Sequence, residues 1–179
     1  MNLPFLRLLG LLFLVSTFKA AAEPTNQKPL KEPILGLIAM GNITFHKDAD
    51  GQGNPTEDFT LLSQFPEVFS GMVVNIAWSQ MEPKPGELDV SVLDKILADI
   101  RNYNQKYPNS PLGVRLRIWQ GNNAPAWAKR LGGEPITVYH KDQPILVGRF
   151  WDTEYRQAWR EFLNRLAEQY DKEPLIREI

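Results

Sequence analysis

Apolar runs of strand length alternate with helical patterns along most of this chain, and this alternation restricts the fold more than any other feature. Runs suited to buried strands are predicted at Ile34–Met40, Met72–Ala77 and Leu112–Trp119, and the beginning of a fourth at Leu175–Ile179. Strands that are separated by helices pair in parallel. The sequence therefore predicts an α/β fold with a parallel sheet, either a closed barrel or an open doubly wound sheet.

Two long helices are predicted from apolar residues at helical spacing. The first has Asp89 or Ser91 as its N-cap, ends before Pro108, and has an apolar face made of Val92, Leu93, Ile96, Leu97, Ile100 and Tyr103. The second begins at Asp152 or Thr153, and its apolar face consists of Tyr155, Trp159, Phe162, Leu163, Leu166, Ala167 and Tyr170. These faces are expected to cover the sheet.

Three smaller elements lie between the main strands and helices. Helical stretches are predicted at Phe59–Phe65, where Pro66 ends the pattern, and at Pro125–Leu131, before two glycines. Ile136–Tyr139 and Ile145–Val147 flank a polar turn and predict a small β-hairpin insertion.

The N-terminus has the pattern of a secretory signal peptide. A positively charged start precedes the apolar run Leu8–Phe18, and Ala20–Ala22 offers small residues for cleavage. The run is shorter than the roughly 20 residues of a membrane span, although Lys19 leaves an uncleaved anchor as the alternative. We expect residues 1–22 to direct export to the periplasm or the extracellular space, 23–33 to form a linker, and 34–179 to fold.

Composition and missing motifs argue against several classes of function. The formal net charge is −1 and no dense basic run occurs, which argues against a nucleic-acid partner. The chain has no cysteine, and no glycine-rich phosphate loop follows a predicted strand. Asp48–Gly53 begins like a calcium loop, but Phe59 stands where a bidentate Glu is required. We therefore expect a flexible loop there, and neither a metal nor a cofactor.

Tryptophans at the ends of two predicted strands indicate a sugar-binding site. Trp78 and Trp119 each follow an apolar strand, and parallel strands place such positions at one edge of the sheet. Indole faces bind the apolar face of a pyranose, while amide, carboxylate and guanidinium groups bind its hydroxyls. The candidate site residues are Trp78, Glu82, Arg117, Trp119, Asn122 and Trp127.

Each candidate also has a structural alternative. The tryptophans can be core residues, as we expect for Trp159, and Asn122 can belong to an ordinary turn. Arg115 and Arg117 alternate with apolar residues and share one side of their strand, where a buried arginine needs an acidic partner. We expect Arg115 to pair with Glu82 or Glu178, and Arg117, nearer the strand end, to be the better ligand contact.

These residues resemble the N-terminal part of a secreted glycoside hydrolase with a (β/α)₈ barrel, in the broad β-galactosidase and cellulase-like clan. The resemblance is carried by three segments, Trp78–Asp89, Arg117–Trp127 and Phe150–Trp159. It implies an incomplete TIM barrel of about three strand–helix units plus the start of strand four. It also implies an acid/base Glu after strand four and a nucleophilic Glu after strand seven, so no catalytic residue is assigned within this chain.

The expected function is therefore that of an exported glycoside hydrolase-like protein that acts on or binds an oligo- or polysaccharide. The alternatives are a non-catalytic carbohydrate-binding module and an inactive remnant. Strand edges that no neighbour covers also predict self-association.

Overall fold

A parallel sheet forms the centre of the protein, as described by a computed structural model for residues 30–40, 59 and 62–179. Its strands, in spatial order, are β1 (Leu37–Ala39), β2 (Phe69–Ala77), β3 (Gly113–Trp119) and β6 (Ile176–Glu178). All neighbouring pairs are parallel. Spatial order therefore follows chain order across these strands, and the predicted α/β class with a parallel sheet is confirmed.

Helices and a hairpin occupy the connections. They are α1 (Trp78–Met81), α2 (Ser91–Lys106), α3 (Thr153–Tyr170), 3₁₀ turns at Gly121–Asn123 and Ala128–Arg130, and the antiparallel hairpin of β4 (Ile136–His140) and β5 (Gln143–Val147). Residues 59 and 62–64 are also helical. Within the described ranges, no helix has both the length and the apolar character that crossing a membrane requires.

The two long helices follow the predicted apolar patterns, but the N-cap of α2 is Val90, which lies between the two residues predicted for that position, Asp89 and Ser91. Asp152 is the N-cap of α3, and its carboxylate accepts from the Glu154 N–H at 2.8 Å. Ahead of α2, the Asp89 carboxylate accepts from the Ser91 N–H and hydroxyl at 3.0 and 2.6 Å. These bonds hold the pKa of Asp89 below its ordinary value, because they favour the ionised form.

The predicted hairpin is confirmed, and the backbone angles of its two-residue loop identify the type of turn. Lys141 and Asp142 have φ angles of 48° and 60°. Positive φ at both central residues is the requirement of a type I′ turn, which suits the twist of two antiparallel strands. The predicted helix at Pro125–Leu131 is only the short 3₁₀ turn Ala128–Arg130, in which Ala128 is buried.

The register of β2 and β3 separates the two faces of the sheet. Successive partners run from Gly71 opposite Gly113 to Ala77 opposite Trp119. One face carries the apolar side chains that join the core under α2 and α3: Met72, Val74, Ile76, Val114, Leu116 and Ile118. The other face carries the polar positions of both strands, and the site depends on that separation.

The first strand is shorter and more exposed than predicted. Ile34–Met40 was expected to form a strand buried on both faces, but Leu35 is 81% exposed and Leu37 is 62% exposed. Gly36 has a φ of 120°, where L side chains are strained, and the Ser70 side chain occupies the space that a Cβ would need. This expectation was wrong because β1 pairs only with β2 among the described residues, and so has no neighbour on its other side.

The segment before β1 is hydrogen-bonded to the opposite edge of the sheet, at and just before β6. Lys31 Nζ donates to the Glu173 and Ile176 carbonyls, each at 2.8 Å. The Ile34 N–H donates to Glu178 Oε1 at 3.1 Å. The compact unit thus runs from Lys31 to Ile179. The predicted signal peptide, most of the linker, and the Asp48–Gly53 loop lie outside the described residues.

Candidate carbohydrate site

Three residues lie near the carboxyl ends of β2 and β3, on the face of the sheet that α2 and α3 do not cover. Asn75 lies opposite Arg117 in the register, and Trp119 follows two residues later on the same side of β3. We call Asn75, Arg117 and Trp119 the carboxyl-end surface. Functional side chains of parallel α/β folds gather at this end of the strands.

The indole of Trp119 is partly exposed to solvent, and a hydrogen bond holds its N–H edge. It is 38% exposed, and its Nε1–H donates to Asn75 Oδ1 at 3.1 Å. The Arg117 side chain is exposed and makes no hydrogen bond or ion pair with any other residue that the structure describes. This surface therefore combines an accessible aromatic face with guanidinium donors that no described acceptor occupies.

An ion pair lies on the same face of the sheet, two residues before Arg117 on β3. Arg115 Nε donates to Glu178 Oε2, and the Ile34 N–H binds the other oxygen of the same carboxylate. The Arg115 bond and the Ile34 bond together hold the pKa of Glu178 below its ordinary value. Of the two partners expected for Arg115, the structure selects Glu178, which joins β3 to β6.

Trp78 does not belong to this surface. Its side chain is 0% exposed, and its ring centroid lies 5.0 to 5.6 Å from those of Trp127, Tyr155, Trp159 and Phe162. Position 78 continues the side of β2 that carries Ile76, so the indole enters the core beneath α3. The expectation that Trp78 faces a ligand was wrong, whereas Trp159 packs against the core as expected.

Glu82 is also buried, and its carboxylate oxygens already have partners. Oε2 accepts from Trp78 Nε1 at 2.8 Å, and Oε1 accepts from the Gly86 N–H at 2.7 Å and from Arg165 Nη2. The residue is 0% exposed. A role in binding a sugar hydroxyl, predicted for Glu82, therefore disagrees with its position, because the carboxylate anchors the turn after α1 to α3.

The two remaining predicted residues lie elsewhere. Trp127 is half-buried, and its Nε1–H donates to the Glu82 carbonyl at 3.2 Å. It lines a groove with residues of α3, on the helix side of the sheet. Asn122 is exposed in the turn after β3, where its carbonyl accepts from Lys129 Nζ at 2.7 Å. The structure thus brings together Arg117 and Trp119 and places Trp78, Glu82 and Trp127 in or against the core.

Asn75 was absent from the predicted site although the sequence carried a signal for it. It is the one polar residue in the strand segment Met72–Ala77, and asparagine is depleted in strands. A polar residue that interrupts a buried apolar run generally has a partner or a function.

One comparison with known proteins identifies the family. The family model for beta-galactosidase of glycoside hydrolase family 42 matches residues 56–178. No curated protein gives a significant match. The matched range contains the carboxyl-end surface, α2, α3 and the hairpin, and it confirms the resemblance to part of a glycoside hydrolase. The chain belongs to glycoside hydrolase family 42, the beta-galactosidase family.

Proposed function

We propose that the protein acts on a galactose-containing carbohydrate and that the carboxyl-end surface binds a pyranose ring. The observation that carries this proposal is the half-open indole of Trp119 at the end of β3, beside an Arg117 with no partner among the described residues. An aromatic face binds the C–H face of a sugar, and guanidinium donors bind its oxygens. Family membership supplies the class of ligand.

We propose further that the sheet is part of a (β/α)₈ barrel. Support comes from the strand order β1-β2-β3-β6, which follows the chain without reversal. A doubly wound sheet reverses its order at a switch point, where such folds bind their ligands. In a barrel, the face that carries Asn75, Arg117 and Trp119 points inward, and the strand ends form the mouth where barrel enzymes bind substrates.

Hydrolysis requires two carboxyl groups around one glycosidic bond, about 5–5.5 Å apart in retaining enzymes and about 6.5–9.5 Å apart in inverting ones. Glu82 is the one carboxylate among the six predicted site residues, and it is buried and bonded to Trp78, Gly86 and Arg165. The family resemblance implies catalytic glutamates after strands four and seven, and we propose on that basis that they are supplied by sequence outside residues 1–179.

Because the Glu82 carboxylate is buried and already hydrogen-bonded, a second candidate is also favoured, which is a carbohydrate-binding protein without hydrolytic activity. Such a protein needs the aromatic face and the donors but no carboxylate pair. Neither candidate predicts that residues 1–179 alone release galactose. The two candidates differ in whether a longer form, which contains the proposed carboxylates, releases it.

Calorimetric titration with galactotetraose tests the proposal. The matched variants are Trp119→Ala and Trp151→Ala, which removes an indole that is 53% exposed but packs on Phe150 instead of at the strand ends. We expect Trp119→Ala to weaken binding at least about tenfold, the loss usual for a central aromatic contact, and Trp151→Ala to bind normally. Equal affinities of both variants and the parent would refute the site.

A parallel assay for released galactose, on this chain and on a longer form that contains the proposed carboxylates, separates the two candidates. Binding without release by this chain is expected for both. Release by the longer form supports the first candidate, and its absence supports the second. Release that survives Trp119→Ala would contradict both, because the chemistry would then occur away from the carboxyl-end surface.

Export and self-association are proposals as well. The signal pattern of residues 1–22 supports export, and sequencing of secreted protein should give a mature N-terminus near Glu23. The exposed β1, with Leu37 uncovered and Leu35 exposed just before the strand, supports pairing between copies through strand edges. Sedimentation should then show a monomer–oligomer equilibrium, and a strict monomer would exclude the pairing.

A further inference from the structure

One hydrogen bond between two strands reaches the aromatic side chain of the carboxyl-end surface. Trp119 comes from β3, whereas the acceptor, Asn75 Oδ1, comes from β2 and lies 3.1 Å from the indole nitrogen. The residue directly opposite Trp119 in the register is Ala77, which has only a methyl side chain. Among the described residues, no aromatic ring stacks against this indole, in contrast to the crowded ring of Trp78.

No aromatic neighbour among the described residues therefore fixes the plane of this indole. Rotation of a ring about its terminal torsion has broad minima, so packing or a directional bond must select one orientation. Across the described part of the chain, the bond to Asn75 is the directional contact at Trp119. A bond to the ring edge also leaves both ring faces unobstructed by the acceptor.

The identity of residue 75 fits this requirement. Its neighbours along β2 are apolar, and an asparagine in a strand is locally unfavourable. A residue that breaks a local rule is expected where function requires it. An amide oxygen at this position reaches a neighbouring strand, which a hydrocarbon side chain of the same size cannot do by hydrogen bonding.

We propose that Asn75 is a positioning residue, which fixes the plane of the Trp119 indole and so sets the orientation in which a sugar ring stacks on it. The inference rests on the proposed function for its consequence in binding. The positioning itself is a property of the free protein. Asn75 acts through Trp119, and its contribution to binding depends on the indole N–H.

The first test observes the free protein. In nitrogen-15 spectra of the full chain, Asn75→Leu should shift the indole N–H resonance of Trp119, assigned by its loss in Trp119→Phe. Asn75→Asp keeps an acceptor oxygen and should shift that resonance in the opposite direction, because a bond to a carboxylate is stronger than a bond to an amide. The indole of Trp78, bonded to Glu82, is the internal control and should not move in either variant. An unmoved Trp119 resonance in Asn75→Leu would overturn the proposal.

The second test is a double-mutant cycle on galactotetraose affinity. Asn75→Leu should weaken binding about fivefold, the usual worth of one neutral hydrogen bond. In a Trp119→Phe background the same leucine substitution should have no further effect, because no N–H remains to be held. An equal loss in both backgrounds would show that Asn75 does not act through Trp119.

The two tests also separate this inference from the proposed function. If the parent chain binds no galactotetraose, the proposed function fails, and the resonance measurement still decides whether Asn75 positions the indole. If Asn75→Leu does not fold, Trp119→Phe removes the same bond from its other side, and its affinity should fall about fivefold. An unchanged affinity of Trp119→Phe would then overturn the proposal.

Discussion

Arg165→Met should destabilise the protein because it leaves a buried carboxylate without its cation. Glu82 is 0% exposed, and its partners are Trp78 Nε1, the Gly86 N–H and Arg165 Nη2. Methionine keeps most of the aliphatic length of arginine, so the lost packing is small. The remaining carboxylate must then be buried with two neutral donors alone.

The expected loss follows from the geometry of this ion pair. Removing one partner of a fully buried pair costs about 3–5 kcal/mol. The Arg165 side chain is 30% exposed, so water can replace part of the lost interaction. Its Nε is also buried without a hydrogen-bond partner in the described part of the chain, which lowers the net value of the pair. We therefore expect a loss of about 2–3 kcal/mol in the free energy of unfolding.

Urea denaturation followed by far-UV circular dichroism measures this loss. Arg160→Met is the matched control, since Arg160 lies on the same helix, is exposed, and binds only Gln157 at 3.0 Å among the described residues. The control should change stability by less than about 0.5 kcal/mol. If Arg165→Met is no more destabilising than Arg160→Met, Glu82 is not held by Arg165 in solution. Its assignment to the core would then lose its main support.

Three further predictions concern contacts of the sheet and of the segment before β1. Gly71→Ala should cost about 1–3 kcal/mol of unfolding free energy in urea, because its Cβ would lie 2.9 Å from both the Gly113 carbonyl oxygen and Ile34 Cδ1; an unchanged midpoint would refute this contact. Lys31→Met should lower the melting temperature, because the Tyr170, Glu173 and Ile176 carbonyls lose a donor; a variant as stable as the parent would show that Lys31 does not hold this end. Glu178 has a lowered pKa in the folded state, so its contribution is present above its ordinary pKa and is lost as the pH falls below about 4.5. Glu178→Gln should therefore lose less stability than the parent between neutral pH and pH of about 3, and identical pH profiles would contradict this account.

Periodicity predicted the elements that depend on local pattern. The apolar faces of α2 and α3 follow helical spacing, and the hairpin follows from two short strands around a polar turn. The extent of β1 could not be predicted in this way. An apolar run has the same sequence pattern whether one neighbour or two cover the strand, and β1 has only β2 beside it among the described residues.

The candidate site was predicted only in part, and strand alternation explains why. Trp78 continues the core face of β2 after Ile76, whereas Trp119 continues the polar face of β3 after Arg117. Counting in twos from these neighbours distinguishes the buried indole from the exposed one without a structure. No local pattern identifies Arg165 as the partner of Glu82, since the two lie far apart in the sequence.

The most direct test of the central claim is to ask which tryptophan senses the sugar. The chain contains five tryptophans, and their indole N–H resonances can be followed separately during a titration with galactotetraose. The account predicts that the Trp119 resonance shifts with saturable dependence on sugar concentration while that of the buried Trp78 stays in place. A saturated titration in which Trp119 does not move, or in which no indole responds, would contradict a carbohydrate site at the carboxyl ends of β2 and β3.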